Sequence, residues 1–186
     1  MHNLKIEKTS IDGVLIVQPV KHADERGYFS ESFNKKNITE FENLEFVQDN
    51  QSLSKEKYTF RGLHFQTPPF AQDKLVRVLK GAILDIVLDL RKESKTYGKH
   101  AVIEITDTSF KQIFIPKNLV HGFLTIKDNT EVFYKVTNYY SKQHEFGINI
   151  FDRDLNISLP VSKDKIILSK KDQHNLSFIE AVKYFA

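Results

Sequence analysis

The 186-residue chain has no cysteine, which removes any disulfide framework and any thiolate zinc site. No stretch approaches the roughly 18 consecutive apolar residues of a membrane helix, and the N-terminal decapeptide MHNLKIEKTS has no apolar core of the signal-peptide kind. A cytoplasmic protein without membrane insertion is the expectation. Glycine and proline are few, and there is no low-complexity run, linker or internal repeat, so residues 1–186 read as a single domain. An excess of one charge is lacking too. The 27 Lys and Arg are scattered among 24 Asp and Glu, which gives no basic stripe for nucleic acid and suits a pocket for a small anionic ligand equally well.

Familiar catalytic signatures are also missing. The chain has no G-x-S-x-G elbow, no G-x-G-x-x-G after a strand, no Walker glycine loop and no H-E-x-x-H. Nucleotide hydrolysis and dinucleotide redox chemistry lose support. A metal-dependent oxygenase barrel would want histidines two residues apart, and neither His64 nor His121 has such a neighbour.

What the chain does have is short runs rich in Val, Ile, Phe and Tyr, bounded by turn residues. VLIVQPV, GYFSESF, LEFVQDNQSL, RGLHFQ, KLVRVLKG, AILDIVLDL, HAVIEIT, FKQIFIP, LVHGFLTI and TEVFYKVTNYY all read as strands. Helical signal is limited to NKKNITEFEN and to a capping box, Ser177 with Glu180, ahead of FIEAVKYF. Strands so closely spaced leave no room for helical crossovers. The expected fold is all-β: an antiparallel, cupin-like jelly-roll barrel, the double-stranded β-helix, with a few short helices.

Alternation then assigns faces. In RGLHFQ, Leu63 and Phe65 point to the core, while His64 and Gln66 share the other face. His64 either faces the polar interior of a barrel or is a satisfied histidine at a strand edge. Strict alternation sends Arg61 to the face opposite His64, unless Gly62 supports a bulge. Gln48, Asn50 and Ser52 share one face, as ligand-binding amides or as a solvated surface. Tyr134, aligned with Val132 and Val136, is either core filler with a bonded hydroxyl or a general acid. AILDIVLDL is apolar on nearly both faces and reads as a central strand; Asp85 within it either lines a cavity or anchors a partner.

Seven ordered segments, DERGYFSESF, FVQDNQS, RGLHFQTPPFAQDKLVRVLKG, DIVLDLRKESKTYGK, IPKNLVHGFL, FYKVTNYYSKQHEFGI and LSKKD, closely resemble the dTDP-4-dehydrorhamnose 3,5-epimerase family across nearly the whole chain. The resemblance implies a cofactor-independent, metal-free isomerase acting on a dTDP-linked 4-keto-6-deoxyhexose. It implies His64 as the base at C5 and C3, Asp172 as its orienting partner, Lys74 facing the enolate oxygen and Tyr134 as the acid. Arg26, Arg61 and Lys171 are then partners for the diphosphate or sugar. His121 stands beside the sugar, supported by Asp85. Phe29, Glu31, Gln48, Asn50 and Glu145 line the nucleotide and sugar, and Tyr140 stacks on thymine. The family further implies a homodimer that exchanges N-terminal strands, so that some of these residues come from the partner. Histidine as a residue type suits abstraction of a weakly acidic proton α to a ketone. The rival outcomes are a single-centre epimerase and a non-catalytic sugar-nucleotide binding barrel. One departure from the family pattern is NIFDRD, where Ile150 and Phe151 replace the usual tryptophan and asparagine before Asp152.

Overall fold

The computed structural model describes residues 4–185; residues 1–3, at the start of the N-terminal decapeptide, and residue 186 lie outside it. The strands are β1 (Lys5–Lys8), β2 (Leu15–Gln18), β3 (His22–Asp24), β4 (Gly27–Phe29), β5 (Gln48–Ser54), β6 (Phe60–Gln66), β7 (Lys74–Lys80), β8 (Ala82–Leu88), β9 (His100–Thr106), β10 (Gln112–Ile115), β11 (Val120–Thr125), β12 (Thr130–Val136) and β13 (Glu145–Gly147). One α-helix, α1 (Phe178–Val182), begins at the expected capping box, with Ser177 Oγ accepting from Glu180 N and the Glu180 carboxylate accepting from Ser177 N.

Among the described residues every pairing between these strands is antiparallel; two isolated bridges, Thr59 with Ile167 and Ile148 with Leu176, are parallel. One sheet runs β1-β2-β10-β7-β12-β5, a second runs β13-β6-β11-β8-β9, and β3 with β4 form a separate exposed hairpin. The two large sheets share one buried core, with Ile16, Val76, Val78, Ile113 and Val132 from the first meeting Ile83, Val87, Ile105 and Phe123 from the second. This is the cupin-like sandwich that the alternation predicts. Each sheet also needs a cover for its outer face. Leu63, Phe65, Ile86, Leu88 and Leu90 bury the back of the second sheet against the C-terminal segment and α1. Leu15, Val17, Leu75 and Phe114 bury the back of the first against Ile38, Phe41 and Phe46. The β8 strand is thus apolar on both faces because both are covered.

Several expectations needed correction. GYFSESF is a strand only as far as Phe29; beyond it Ser30 donates its hydroxyl to Val20 O and Phe33 turns into the cluster around Phe41. NKKNITEFEN forms two single-turn 3-10 segments, Lys35–Asn37 and Thr39–Phe41, rather than one helix. The chain also forms β1, β3 and β13, which are too short to show an alternation of their own. The unusual Ile150 and Phe151 join the cluster under the C-terminal segment, while Asp152 accepts from Asp154 N and Phe178 N.

A buried carboxylate ties off the turn after β8. Asp89 accepts from Arg91 Nε at 2.9 Å and Nη2 at 2.8 Å, from Ser94 Oγ and Thr96 Oγ1, and from the Arg91 amide. Burial alone would raise its pKa, but these donors lower it to about 2. The resulting stabilisation, about 2 kcal/mol, is fully present above the unfolded-state pKa near 4 and is lost as the pH falls through about 2. Asp89→Asn should therefore lower the unfolding free energy at pH 7 and flatten the loss of stability between pH 4 and pH 2, as read by denaturant titrations across that range.

Candidate active site

Polar side chains break the apolar interior at the meeting of β6, β7, β11, β12 and β13. His64 and His121 are direct cross-strand partners on β6 and β11, so their rings lie on the same face. Each is held by a carboxylate. His64 Nε2 is 2.6 Å from Asp172 Oδ1, and His121 Nε2 is 2.8 Å from Asp85 Oδ2. Asp85 therefore anchors a partner through Oδ2, while its Oδ1 is buried with no hydrogen-bond partner among the described residues. The two pairs differ in access. The His64 side chain retains 25% of its surface and that of His121 only 9%.

Asp172 sits at the start of a 3-10 turn, Asp172–His174, and is buried. Burial alone would raise its pKa; the hydrogen bond and charge of His64 hold it below the ordinary carboxylate range. With Nε2 bound to an ionised Asp172, the other ring nitrogen of His64, Nδ1, lies 4.0 Å from Glu145 Oε1 and makes no hydrogen bond among the described residues. Glu145, on β13, is half-buried. Burial pushes its pKa up, but Lys171, the Tyr140 hydroxyl and the charge of His64 together bring it down. Lys171 Nζ and Tyr140 Oη both donate to Glu145 Oε2, the latter at 2.8 Å.

The opposite sheet supplies a row of inward residues. Tyr134 on β12 pairs with Asn50 on β5 and with Val76 on β7, while Val136 pairs with Gln48 and Lys74. Gln48, Asn50 and Ser52 are half-buried and their neighbours Asp49 and Gln51 exposed, as alternation predicts. Burial pushes the Tyr134 phenol up, as does Glu145, against a smaller pull from Arg61. It is a protonated group at neutral pH. Burial pushes the Lys74 ammonium down, while the nearby charges of Glu145 and Asp85 favour its proton. Gln48 is partly committed already, since Oε1 accepts from Tyr140 N at 3.1 Å and Nε2 donates to Asn50 Oδ1 at 2.9 Å.

Arg61 settles the question of alternation. In the β6–β11 register, Arg61 faces Phe123 and His64 faces His121, so three steps on β6 match two on β11. This bulge at Gly62–Leu63 turns Arg61 to the side of His64, close enough for its charge to act on Tyr134. Ser54 Oγ accepts from Arg61 Nε at 3.1 Å and Leu53 O from Nη2 at 3.2 Å, a support that the sequence reading missed. The sequence signal for it was a small polar residue at the inward end of a strand.

Not every expected residue joins this group. Arg26 pairs with Asp24, Phe29 is 71% exposed on the β3–β4 hairpin, and Glu31 accepts from Asn34 and Asn37. Among the described residues none of the three bonds to a member of the His64 group. Gln66 does not present its amide to open space either: Nε2 donates to Phe70 O and Tyr139 O, and Oε1 accepts from Ser141 N.

A His–Asp pair with one ring nitrogen unbonded among the described residues, a half-buried lysine and a protonated phenol can remove a proton beside a carbonyl, stabilise an enolate and return a proton. Comparison with known proteins agrees with that chemistry. The family model described as dTDP-4-dehydrorhamnose 3,5-epimerase matches residues 8–180. The chain is 42% identical over 180 residues to the dTDP-4-dehydrorhamnose 3,5-epimerase of Shigella flexneri, covering 96% of this chain and 98% of that protein. It is similar to the crystal structure of the Bacillus anthracis dTDP-4-dehydrorhamnose 3,5-epimerase with TDP and PPi bound, with TM-score 0.88, 39% identity and coverage of 94% and 99% of the two chains. It also resembles a Legionella pneumophila 3,5-epimerase solved with dTDP-4-keto-L-rhamnose, with TM-score 0.86, 37% identity and coverage of 93% and 92%.

Proposed function

The chain belongs to the dTDP-4-dehydrorhamnose 3,5-epimerase family, and from that premise we propose how its own residues divide the work. The reaction is epimerisation at C3 and C5 of dTDP-4-dehydro-6-deoxy-D-glucose, giving dTDP-4-dehydro-L-rhamnose. His64 Nδ1 takes the proton from the carbon beside the C4 ketone. Asp172 holds the ring with Nε2–H toward itself and balances the imidazolium that forms. Charge then develops on the C4 oxygen, where the Lys74 ammonium meets it in a partly desolvated setting. Tyr134 returns a proton from the opposite face, which inverts the centre. The observation that carries this reading is the 2.6 Å His64–Asp172 pair, which leaves Nδ1 on the side of Glu145 with the side chain a quarter exposed.

Arg61, Lys171, His121, Gln48, Asn50 and Glu145 surround that point and are assigned to the sugar and diphosphate; planar Arg61 suits a phosphate oxygen pair. Tyr140, 54% exposed at the rim, offers a ring face to thymine. Arg26 and Phe29 are assigned to a second copy's site. Their exposure on the β3–β4 hairpin supports a homodimer that exchanges this N-terminal segment. We further infer one domain across residues 1–186 and a cytoplasmic location; no helix among the described residues is long and apolar enough to cross a membrane.

In deuterated water, turnover should place deuterium at both C3 and C5 with inversion, as read by NMR. Exchange at neither carbon would refute the assignment, and inversion at one carbon alone would make this a single-centre epimerase. Tyr134→Phe should keep proton loss to His64 while slowing inversion by about 10²-fold or more. Equal loss of exchange and inversion would remove Tyr134 from the acid role.

A further inference from the structure

Gln66 lies on β6 two residues from His64 and opposite Glu145 in the β6–β13 register, yet its amide faces neither. It is 8% exposed, and its three hydrogen bonds all go to backbone groups of two loops. Nε2 donates to Phe70 O at 2.7 Å and to Tyr139 O at 3.2 Å; Oε1 accepts from Ser141 N at 2.7 Å. Tyr139 and Ser141 flank Tyr140. One amide therefore holds the chain on both sides of the ring assigned above to the nucleobase, and a second, Gln48, takes the Tyr140 N–H between them. The same two loops are joined again where Asn138 Nδ2 donates to Pro69 O and Gln72 Nε2 donates to Asn138 O.

We propose that Gln66 is a positioning residue for nucleotide recognition: its amide fixes the backbone around Tyr140 so that the ring is in place before the nucleobase arrives. The inference rests on the assignment of Tyr140 to the nucleobase. Only an amide side chain serves here, because the site needs two donated hydrogen bonds and one accepted bond from a single group. A carboxylate would face two carbonyl oxygens with no proton to give, and an apolar isostere would leave all three backbone groups unmatched. Tyr139 and Tyr140 are both more than half exposed, so in its absence little packing would order them and only the Gln48 and Glu145 bonds to Tyr140 and the Asn138 links to Pro69 and Gln72 would remain. More of the ordering of this loop would then fall to the ligand, at the expense of affinity. The His64–Asp172 pair would be untouched.

The test uses Gln66→Met, with Gln66→Ser as a second variant, whose smaller side chain leaves room for water beside the three backbone groups, in case the first folds poorly. KM for the 4-keto sugar nucleotide and Kd for dTDP should each rise about tenfold while kcat changes less than about threefold. Hydrogen exchange in the segment 138–142 should accelerate while the β9 strand keeps its protection. In a Tyr140→Ala background, Gln66→Met should add nothing further to Kd. Unchanged Kd in both variants, or a fall confined to kcat, would overturn the proposal, as would full multiplication of the two effects. A failure of the underlying assignment would look different: Tyr140→Ala alone would leave the Kd for dTDP unchanged while exchange in 138–142 still accelerated in Gln66→Met.

Discussion

His64→Asn is expected to reduce turnover by about 10³-fold or more while dTDP still binds, and Asp172→Asn by about 10²- to 10⁴-fold. The geometry makes the first expectation specific to one nitrogen. Nε2 is occupied by Asp172 at 2.6 Å, so the lone pair that accepts the substrate proton is on Nδ1. Asparagine keeps a polar group of similar reach but has no basic nitrogen. Substituting Asp172 leaves the imidazole in place and removes both the acceptor that fixes its tautomer and the negative charge that balances the imidazolium. That Asp172 is ionised follows from its lowered pKa, set by His64 against the effect of burial.

The second histidine is a sharp internal control. His121 carries its own aspartate at almost the same distance, but its ring is nearly closed off, with 9% of the side chain exposed against 25% for His64. A base must touch its proton. The expectation is that the exchange of substrate protons with deuterated water vanishes in His64→Asn and persists in His121→Asn. Calorimetric titration with dTDP would check that the His64→Asn pocket is intact. Exchange within tenfold of the parent in His64→Asn would remove His64 from the base role; loss of dTDP binding would instead mean that the substitution had disturbed the pocket.

Alternation was enough to place much of this site. Gln48, Asn50 and Tyr134 face inward because each lies on a strand with a two-residue period and a buried partner beside it. Leu63 and Phe65 mark the apolar back of β6, covered by the C-terminal segment, which leaves His64 to the interior between the sheets. Asp172 was not legible in this way. It lies 108 residues beyond His64, in a 3-10 turn whose local sequence says nothing about which strand it meets. Glu145 and Lys171 share that difficulty: their relation is a long-range contact through β13 and the C-terminal segment, and only the family resemblance carried them. The short strands were hidden for a different reason. Three or four residues, as in β1, β3 and β13, are too few to establish a period, and pairing with a longer neighbour decides their conformation. The role of Gln66 was hidden because facing the interior does not reveal whether an amide waits for a ligand or already holds a loop.

Gly62→Ala should be the most damaging single methyl group that can be added near the site, with a loss on the order of 2–6 kcal/mol in unfolding free energy. Two penalties combine there. Gly62 has φ +135°, a region that side-chain-bearing residues rarely adopt, and a Cβ would lie 2.5 Å from Gly122 Cα and 3.0 Å from His121 O. Both contacts are backbone, so no flexible side chain can yield. Gly122 is the reciprocal partner, with a Cβ position 2.8 Å from Arg61 O. Gly27 separates the two penalties, since its φ is +131° but nothing lies within 4 Å of its Cβ position. Gly27→Ala should therefore cost only the conformational part, about 1–3 kcal/mol, and the difference between the two variants measures the close approach of β6 to β11. Denaturant unfolding of both proteins reads this directly. Function should follow the bulge: relieving the clash by restoring regular register would send Arg61 back to the face opposite His64, so folded Gly62→Ala should lose affinity for dTDP as well as stability. Equal losses of stability in the two variants would show that the β6–β11 contact relaxes freely and that the bulge is not what holds Arg61 beside the base.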